Sequence, residues 1–242
     1  MTDWLVATVV GAVMETPTSR SLWLRIPGFP GAAAGQHIDI RLTAPDGYSA
    51  SRSYSLSDVR EGEIVEVSVE ELADGEVSPF LVRDLEIGEQ VEVTGPIGGH
   101  FVWSPEGAER RRPVQLIAGG SGIAPLMAMI RLREVSAPDT RFRLLYSVRT
   151  PADVYYRDEF AALRGRGRLS VDIFYTRVAP VDSQRPPGRI TRDEVLATVL
   201  PPEQRPVVYL CGADEFVGTV ADWLVAAGHP TTAIRIERYL AA

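Results

Sequence analysis

The sequence predicts a two-domain α+β protein: an N-terminal six-stranded antiparallel β-barrel, then a C-terminal α/β domain built on a five-stranded parallel sheet. Three observations point there. Up to about residue 103, apolar residues come in short runs separated by turn chemistry. At Ser104-Pro105-Glu106-Gly107 and the charged residues as far as Arg112 the periodicity changes, which marks an interdomain linker. Beyond it strand-length and helix-length runs alternate, beginning with an apolar strand, a glycine turn and an apolar helix-competent run at 126–132. The expected division is 1–103 for the barrel domain, 104–112 for the linker and 113–242 for the second domain.

The barrel strands are expected at 5–13, 22–26, 37–42, 51–56, 64–69 and 90–93. Between them, Pro27-Gly28, Pro45-Asp46-Gly47, Glu61-Gly62 and Ile87-Gly88 supply turns. A helix fits 78–85, where Phe80, Leu81, Val82 and Leu85 can share one buried face. In the second domain strands are expected at 114–118, 142–147, 169–175, 207–211 and 233–236, and helices at 124–135, 156–164, 192–200 and 213–227. Helices then cover both faces of the sheet, and ligands belong at the C-terminal strand ends, one of which carries the long proline-containing loop 176–188.

Composition narrows the function. A chain of 242 residues holds two ordinary domains with full cores. Its formal net charge of −7 and the lack of a long basic run argue against a nucleic-acid partner, and Arg110-Arg111-Arg112 reads as solvated linker. The single cysteine, Cys211, excludes an internal disulfide and a Cys-ligated iron–sulfur cluster within one chain. The apolar run at 4–14 follows Asp3 with no basic region and is too short to span a bilayer, so no membrane insertion and a cytoplasmic location are expected. His37, His100 and His229 are far apart and not in ligand spacing, so no metal site is expected.

Two stretches carry chemistry on physical grounds. Gly119-Gly120-Ser121-Gly122-Ile123-Ala124-Pro125 either simply turns the chain or cradles the pyrophosphate of a dinucleotide. Glycines allow close approach, and the helix N-terminus beginning near Ile123 attracts an anion. Arg52-Ser53-Tyr54-Ser55 ends a barrel strand and offers a cation for phosphate, an aromatic face and a hydroxyl, unless Tyr54 merely fills the core. Ser78, at the start of the expected helix, is either an N-cap or a second phosphate contact.

Taken together, the motifs resemble the ferredoxin-NADP(H) reductase family nearly from end to end. Arg52-Ser53-Tyr54-Ser55 is similar to its Arg-x-Tyr-Ser flavin motif, Gly75-x-x-Ser78 to its flavin phosphate site, and Gly95-Pro96-Ile97-Gly98-Gly99-His100-Phe101 to the loop closing its flavin barrel. Residues 119–125 match its nicotinamide-dinucleotide turn, Cys211-Gly212 its Cys-Gly motif, and Glu237-Arg238-Tyr239 its acidic and aromatic ending.

The resemblance implies roles. Arg52 would contact the flavin pyrophosphate, Tyr54 would stack on the ring, and Ser55 would bond near N5, with Ser53, Val69, Gly75, Val77 and Ser78 completing the flavin site. Gly119, Gly120, Ser121, Gly122, Ile123, Pro125 and Gly212 would hold the nicotinamide dinucleotide. Cys211 would sit beside nicotinamide unless it is a small buried residue ending a strand, and Glu237 would relay a proton or orient nicotinamide unless it lies at the surface. Tyr239 would cover the flavin, although Leu240-Ala241-Ala242 follows it.

Arg149, Thr176, Arg177 and Arg189 fall just past strand ends, where the family binds the adenosine end; their charge favours NADPH, with NADH as the other donor. Asp153 and Asp182 are near in sequence but not convincingly placed to bind ribose. FAD is expected over FMN from the Gly-Pro-x-Gly loop. The implied reaction passes hydride from NADPH to flavin N5 and then electrons to a separate protein acceptor, a ferredoxin or an oxygenase component. A basic patch drawn from Arg20, Arg41, Arg52 and Arg83 would favour such an acceptor. The alternatives are direct reduction of free flavin, a quinone or a ferric chelate, and an electron-transfer subunit of a larger complex.

Overall fold

The computed structural model describes residues 4–106, 111–165 and 169–239; linker positions 107–110 and the tail 240–242 lie outside the described residues. Six strands, β1 (Leu5–Thr16), β2 (Ser19–Arg25), β3 (His37–Thr43), β4 (Ser49–Glu61), β5 (Ile64–Glu70) and β6 (Gln90–Ile97), close into a barrel in the order β1-β2-β5-β4-β3-β6. Every pairing is antiparallel. The strands outrun their apolar cores because ladder hydrogen bonds continue through polar residues that periodicity does not register. β4, expected at 51–56, gains Asp58 and Arg60 in this way. The helix expected at 78–85 forms over 78–84, but after its first two residues it winds as a π-helix, Phe80–Asp84, closed by the Leu85 N–H donating to the Phe80 carbonyl at 2.9 Å. Leu81, Val82 and Leu85 are buried as expected, whereas the wider winding leaves Phe80 38% exposed.

The second unit contains β7 (Val114–Gly119), α1 (Ile123–Ser136), β8 (Phe142–Val148), α2 (Arg157–Gly165), β9 (Leu169–Tyr175), α3 (Arg192–Thr198), β10 (Val207–Ala213), α4 (Asp214–Ala226) and β11 (Ile234–Tyr239). The parallel sheet runs β11-β10-β7-β8-β9. Side chains alternate across it. Leu116, Leu144, Tyr209 and Cys211 pack with residues of α1 and α2, while Ile117, Leu145, Val208 and Leu210 pack with residues of α3 and α4. Strand order reverses at β7, which lies between β8 and β10, so the crevice beyond its C-terminal end is the switch point where such sheets bind ligands.

The barrel packs on the α1 face. Ala34, Phe101 and Trp103 join the core of that face, and the main-chain N–H of Trp103 donates to the Ala34 carbonyl at 3.1 Å. Arg112, expected to be solvated, instead donates from Nε and Nη2 to the carbonyls of Arg205 and Pro206 at 2.9 and 3.0 Å. Among the described residues no helix is long and apolar enough to cross a membrane.

Candidate active site in the interdomain cleft

The glycine turn leaves β7 at the switch point. Gly120–Gly122 forms a 3-10 turn that runs directly into α1, with Pro125 tolerated in its first turn. No side chain caps either element, so the first N–H groups of α1 lack a protein side-chain acceptor. Gly120 has φ +55 and a Cβ there would meet nothing within 4 Å. A Cβ on Gly122 would lie 2.5–2.7 Å from backbone atoms of Cys211 and Gly212, so the turn rests directly on β10. These features fit a pyrophosphate: an uncapped helix start with open space on one side and no room for a side chain on the other.

β10 and β11 pair with Cys211 opposite Glu237, and period two puts Tyr239 on that same, barrel-facing side. There they meet β4. The Ser55 hydroxyl donates to Glu237 Oε1 at 2.6 Å, and the Tyr239 hydroxyl donates to Ser55 Oγ at 3.0 Å. Residues 182 and 184 positions apart in sequence thus share one cluster. Burial pushes the Glu237 carboxyl above the ordinary carboxylate range, opposed by the Ser55 hydrogen bond and the charge of His37. Cys211 is fully buried, and its thiol is pushed well up by burial and then by the Glu237 charge. His37, which in the sequence stands out only as a histidine outside metal-ligand spacing, is the β3 partner of Ser55. Only the strand register reveals that neighbour.

Along β4, Tyr54 packs partly buried against the barrel core, and burial raises its hydroxyl pKa. Ser53 donates to Asp39 Oδ1 at 2.5 Å, and Arg52 Nη2 pairs with Glu76 Oε2 at 2.6 Å, both side chains being about half exposed. The Tyr48 hydroxyl donates to the other Glu76 oxygen at 2.5 Å. Any phosphate at Arg52 therefore competes with Glu76. A half-exposed pair of this kind is worth little, so the exchange is inexpensive. Consecutive on β4, Tyr54 and Ser55 offer an aromatic ring and a hydroxyl from opposite faces of the strand, the kinds of group that an isoalloxazine takes up.

Other expectations need correction. Ser78 caps no helix: its buried Oγ accepts from the Leu72 N–H at 3.0 Å, beside Gly75, whose N–H donates to the Leu72 carbonyl at 2.8 Å. Val69 and Val77 point into the barrel core with no exposed side-chain surface, leaving only backbone to face a ligand. The basic patch is not there as drawn. Arg41 pairs with Glu92, Arg52 with Glu76 and Arg83 with Glu71, and Arg20 donates to the carbonyls of Leu81, Val82 and Leu85.

At the far end of the cleft the structure gathers Arg149, Thr176 and Arg177. The Thr176 N–H donates to the Val148 carbonyl at 2.9 Å and the Arg177 N–H to the Arg149 carbonyl at 2.8 Å, placing both arginines at adjoining strand ends and exposed. Arg189 is drawn aside, pairing through Nη1 with Glu215 Oε1 at 2.8 Å. The Asp153 carboxylate accepts from Thr150 N and Oγ1 at 2.8 and 2.7 Å in a local capping box.

An anion-ready turn at the switch point, facing a barrel edge with an aromatic ring and a hydroxyl, defines a flavin- and nicotinamide-binding oxidoreductase. Family models agree: 26–103 match the oxidoreductase FAD-binding domain and 116–222 the oxidoreductase NAD-binding domain. The chain belongs to the ferredoxin-NADP(H) reductase family.

It is 29% identical over 237 residues to the reductase component of propane 2-monooxygenase from Mycolicibacterium smegmatis, covering 91% of this chain and 64% of that one. It is 26% identical to the toluate 1,2-dioxygenase electron transfer component from Pseudomonas putida, covering 86% and 59%. The chain thus spans less than two thirds of these curated relatives. Among solved structures, the flavohem-like FAD/NAD-binding domain of nitric oxide dioxygenase from Vibrio cholerae superimposes with a TM-score of 0.85 at 25% identity, covering 98% of this chain and 99% of that one.

Proposed function

We propose that this chain is an FAD-dependent reductase that takes hydride from NADPH, with NADH as second donor, and passes electrons to a separate protein acceptor such as a ferredoxin or an oxygenase component. The observation that carries the reading is the hydrogen-bonded set Ser55, Glu237 and Tyr239 across the cleft, beside Cys211. FAD, when bound, supplies the capacity to take electrons as a pair and release them singly. The glycine turn and the start of α1 bind the dinucleotide phosphates, and Arg52 and Tyr54 bind the flavin. Ser55 holds its proton between its own Oγ and Glu237 Oε1, and Tyr239 covers that hydroxyl against water. Arg149 and Arg177 surround the 2′-phosphate; among the described residues neither makes an ion pair, which supports NADPH. The names of the reductase relatives support the protein acceptor.

We also place the chain in the cytoplasm and divide it into domains at 1–103 and 113–242; the family-model matches at 26–103 and 116–222 fall inside those bounds. Paired barrel arginines favour a second reading, direct reduction of a small acceptor such as free flavin, a quinone or a ferric chelate. Anaerobic mixing with NADPH and separately with NADH, followed by flavin absorbance, is the test. Rapid bleaching is expected, faster with NADPH, and a bound flavin that neither nucleotide bleaches overturns the reading. Arg177→Ala should weaken NADPH much more than NADH; an equal loss removes the 2′-phosphate assignment.

A further inference from the structure

A cluster of buried charge lies between the domains, away from the cleft residues. Arg131 of α1 is 7% exposed and Glu66 of β5 only 1%. Arg131 Nη1 donates to the Ser57 carbonyl of β4 at 3.1 Å and to Glu66 Oε2 at 2.8 Å. Its Nε and Nη2 donate to the carboxylate of Glu159 in α2 at 2.7–3.2 Å. The second Glu66 oxygen accepts from the Ser57 hydroxyl at 3.0 Å. The Tyr156 ring lies 4.9 Å from the guanidinium carbon; its hydroxyl bonds Ser68 of β5 at 2.5 Å, and its N–H donates to Glu15 of β1 at 2.9 Å. One planar fork thus joins α1 and α2 to β4 and β5.

We propose that Arg131 is a positioning residue for hydride transfer, holding the helix that starts at the dinucleotide turn in fixed register with the strand that carries Ser55. This inference rests on the function proposed above. Arg131 is eight residues along α1 from Ile123, about 12 Å of rigid helix. Ser57 is two residues beyond Ser55, about 7 Å of strand. A shift between α1 and β4 is therefore carried directly to the two surfaces that must bring donor and acceptor atoms within roughly 3–3.5 Å. Stability alone gives a weak reason for the arrangement, because a buried ion pair is often matched or bettered by apolar residues of the same size. A guanidinium fork supplies what apolar packing lacks, a fixed direction on each partner.

The test uses the full-length, flavin-loaded protein with the double substitution Arg131→Met and Glu66→Gln, which keeps volume and strands no charge at Glu66; Glu159 retains contact with solvent. Spin labels on Glu86→Cys and Asp222→Cys, both exposed, report the interdomain distance distribution independently of turnover. The double variant is expected to broaden that distribution and to slow flavin reduction by tenfold or more, with the nucleotide Kd within about threefold of wild type. Arg131→Lys, which keeps the charge but loses the fork, is expected to leave the rate low. An unchanged distribution, an unchanged rate, or a rate loss matched by an equal loss of nucleotide affinity overturns the role of Arg131. A wild-type protein that no nucleotide reduces overturns the function itself, and that is seen before any variant is compared.

Discussion

Ser55 is the side chain on which the cleft turns, since it donates to Glu237 and accepts from Tyr239. Ser55→Ala should leave flavin bound but slow its reduction by about tenfold or more, read by rapid mixing, and a rate equal to wild type would remove Ser55 from the mechanism. The same change leaves the half-buried Glu237 carboxyl without its donor, a cost of about 1 kcal/mol. Glu237 also makes a pH signature. Its folded pKa lies above the ordinary value of 4.5, chiefly through burial, so the folded state keeps this proton to higher pH than the unfolded chain does. The stability it contributes is full below the ordinary value and is lost as pH rises through the raised one. The urea midpoint of Glu237→Gln relative to wild type should therefore climb as pH rises above the ordinary value of 4.5, whereas a constant difference would show that the carboxyl titrates normally. Of this cluster, sequence motifs marked Ser55, Cys211, Glu237 and Tyr239 but passed over His37, because its nearness to Ser55 exists only in the register of β3 on β4. Glu215 escaped notice likewise, since nothing local to the start of α4 announces that Arg189 will reach it.

At the level of elements, the glycine turn shows two uses of one residue type. Gly120 is needed for its positive φ, and Gly122, whose φ is an ordinary −59, is needed because β10 leaves no room for a Cβ. Gly122→Ala should cost about 1–3 kcal/mol, read as a lowered thermal midpoint, and should weaken nucleotide binding by prising the turn from β10; an unperturbed midpoint would mean that β10 yields freely. The strands and helices of both units were legible because short apolar runs bounded by turn residues give way to helix-length runs, α1 being apolar and buried nearly all round. Legibility fails where backbone geometry departs from the regular strand and helix. The winding of Phe80–Asp84 turns Phe80 outward while its neighbours stay buried. Val69 and Val77 stand in motif-bearing stretches, yet the barrel claims their side chains.

At the scale of the whole molecule, the barrel arginines are held in local pairs rather than forming a patch. With Arg41, Arg52 and Arg83 each facing a carboxylate, long-range steering of an acidic partner by the barrel is weak. The specificity constant for a protein acceptor should then change by less than about threefold between low and physiological salt, where a free basic patch would give roughly tenfold or more. A steep salt dependence would place the docking charges elsewhere. Sequence alone does not show the Arg41–Glu92 pair, because these residues meet only once β3 and β6 lie side by side. The shared core has its own consequence, in the order of synthesis. Phe101 and Trp103 leave the ribosome with the barrel, but the surface they pack on, built from β7, α1, β8 and β10, is made later. The growing chain must carry these two aromatic side chains without their partners until the parallel sheet assembles, so the second domain folds onto a template that is already present, and made by itself it would present that apolar face to its own copies.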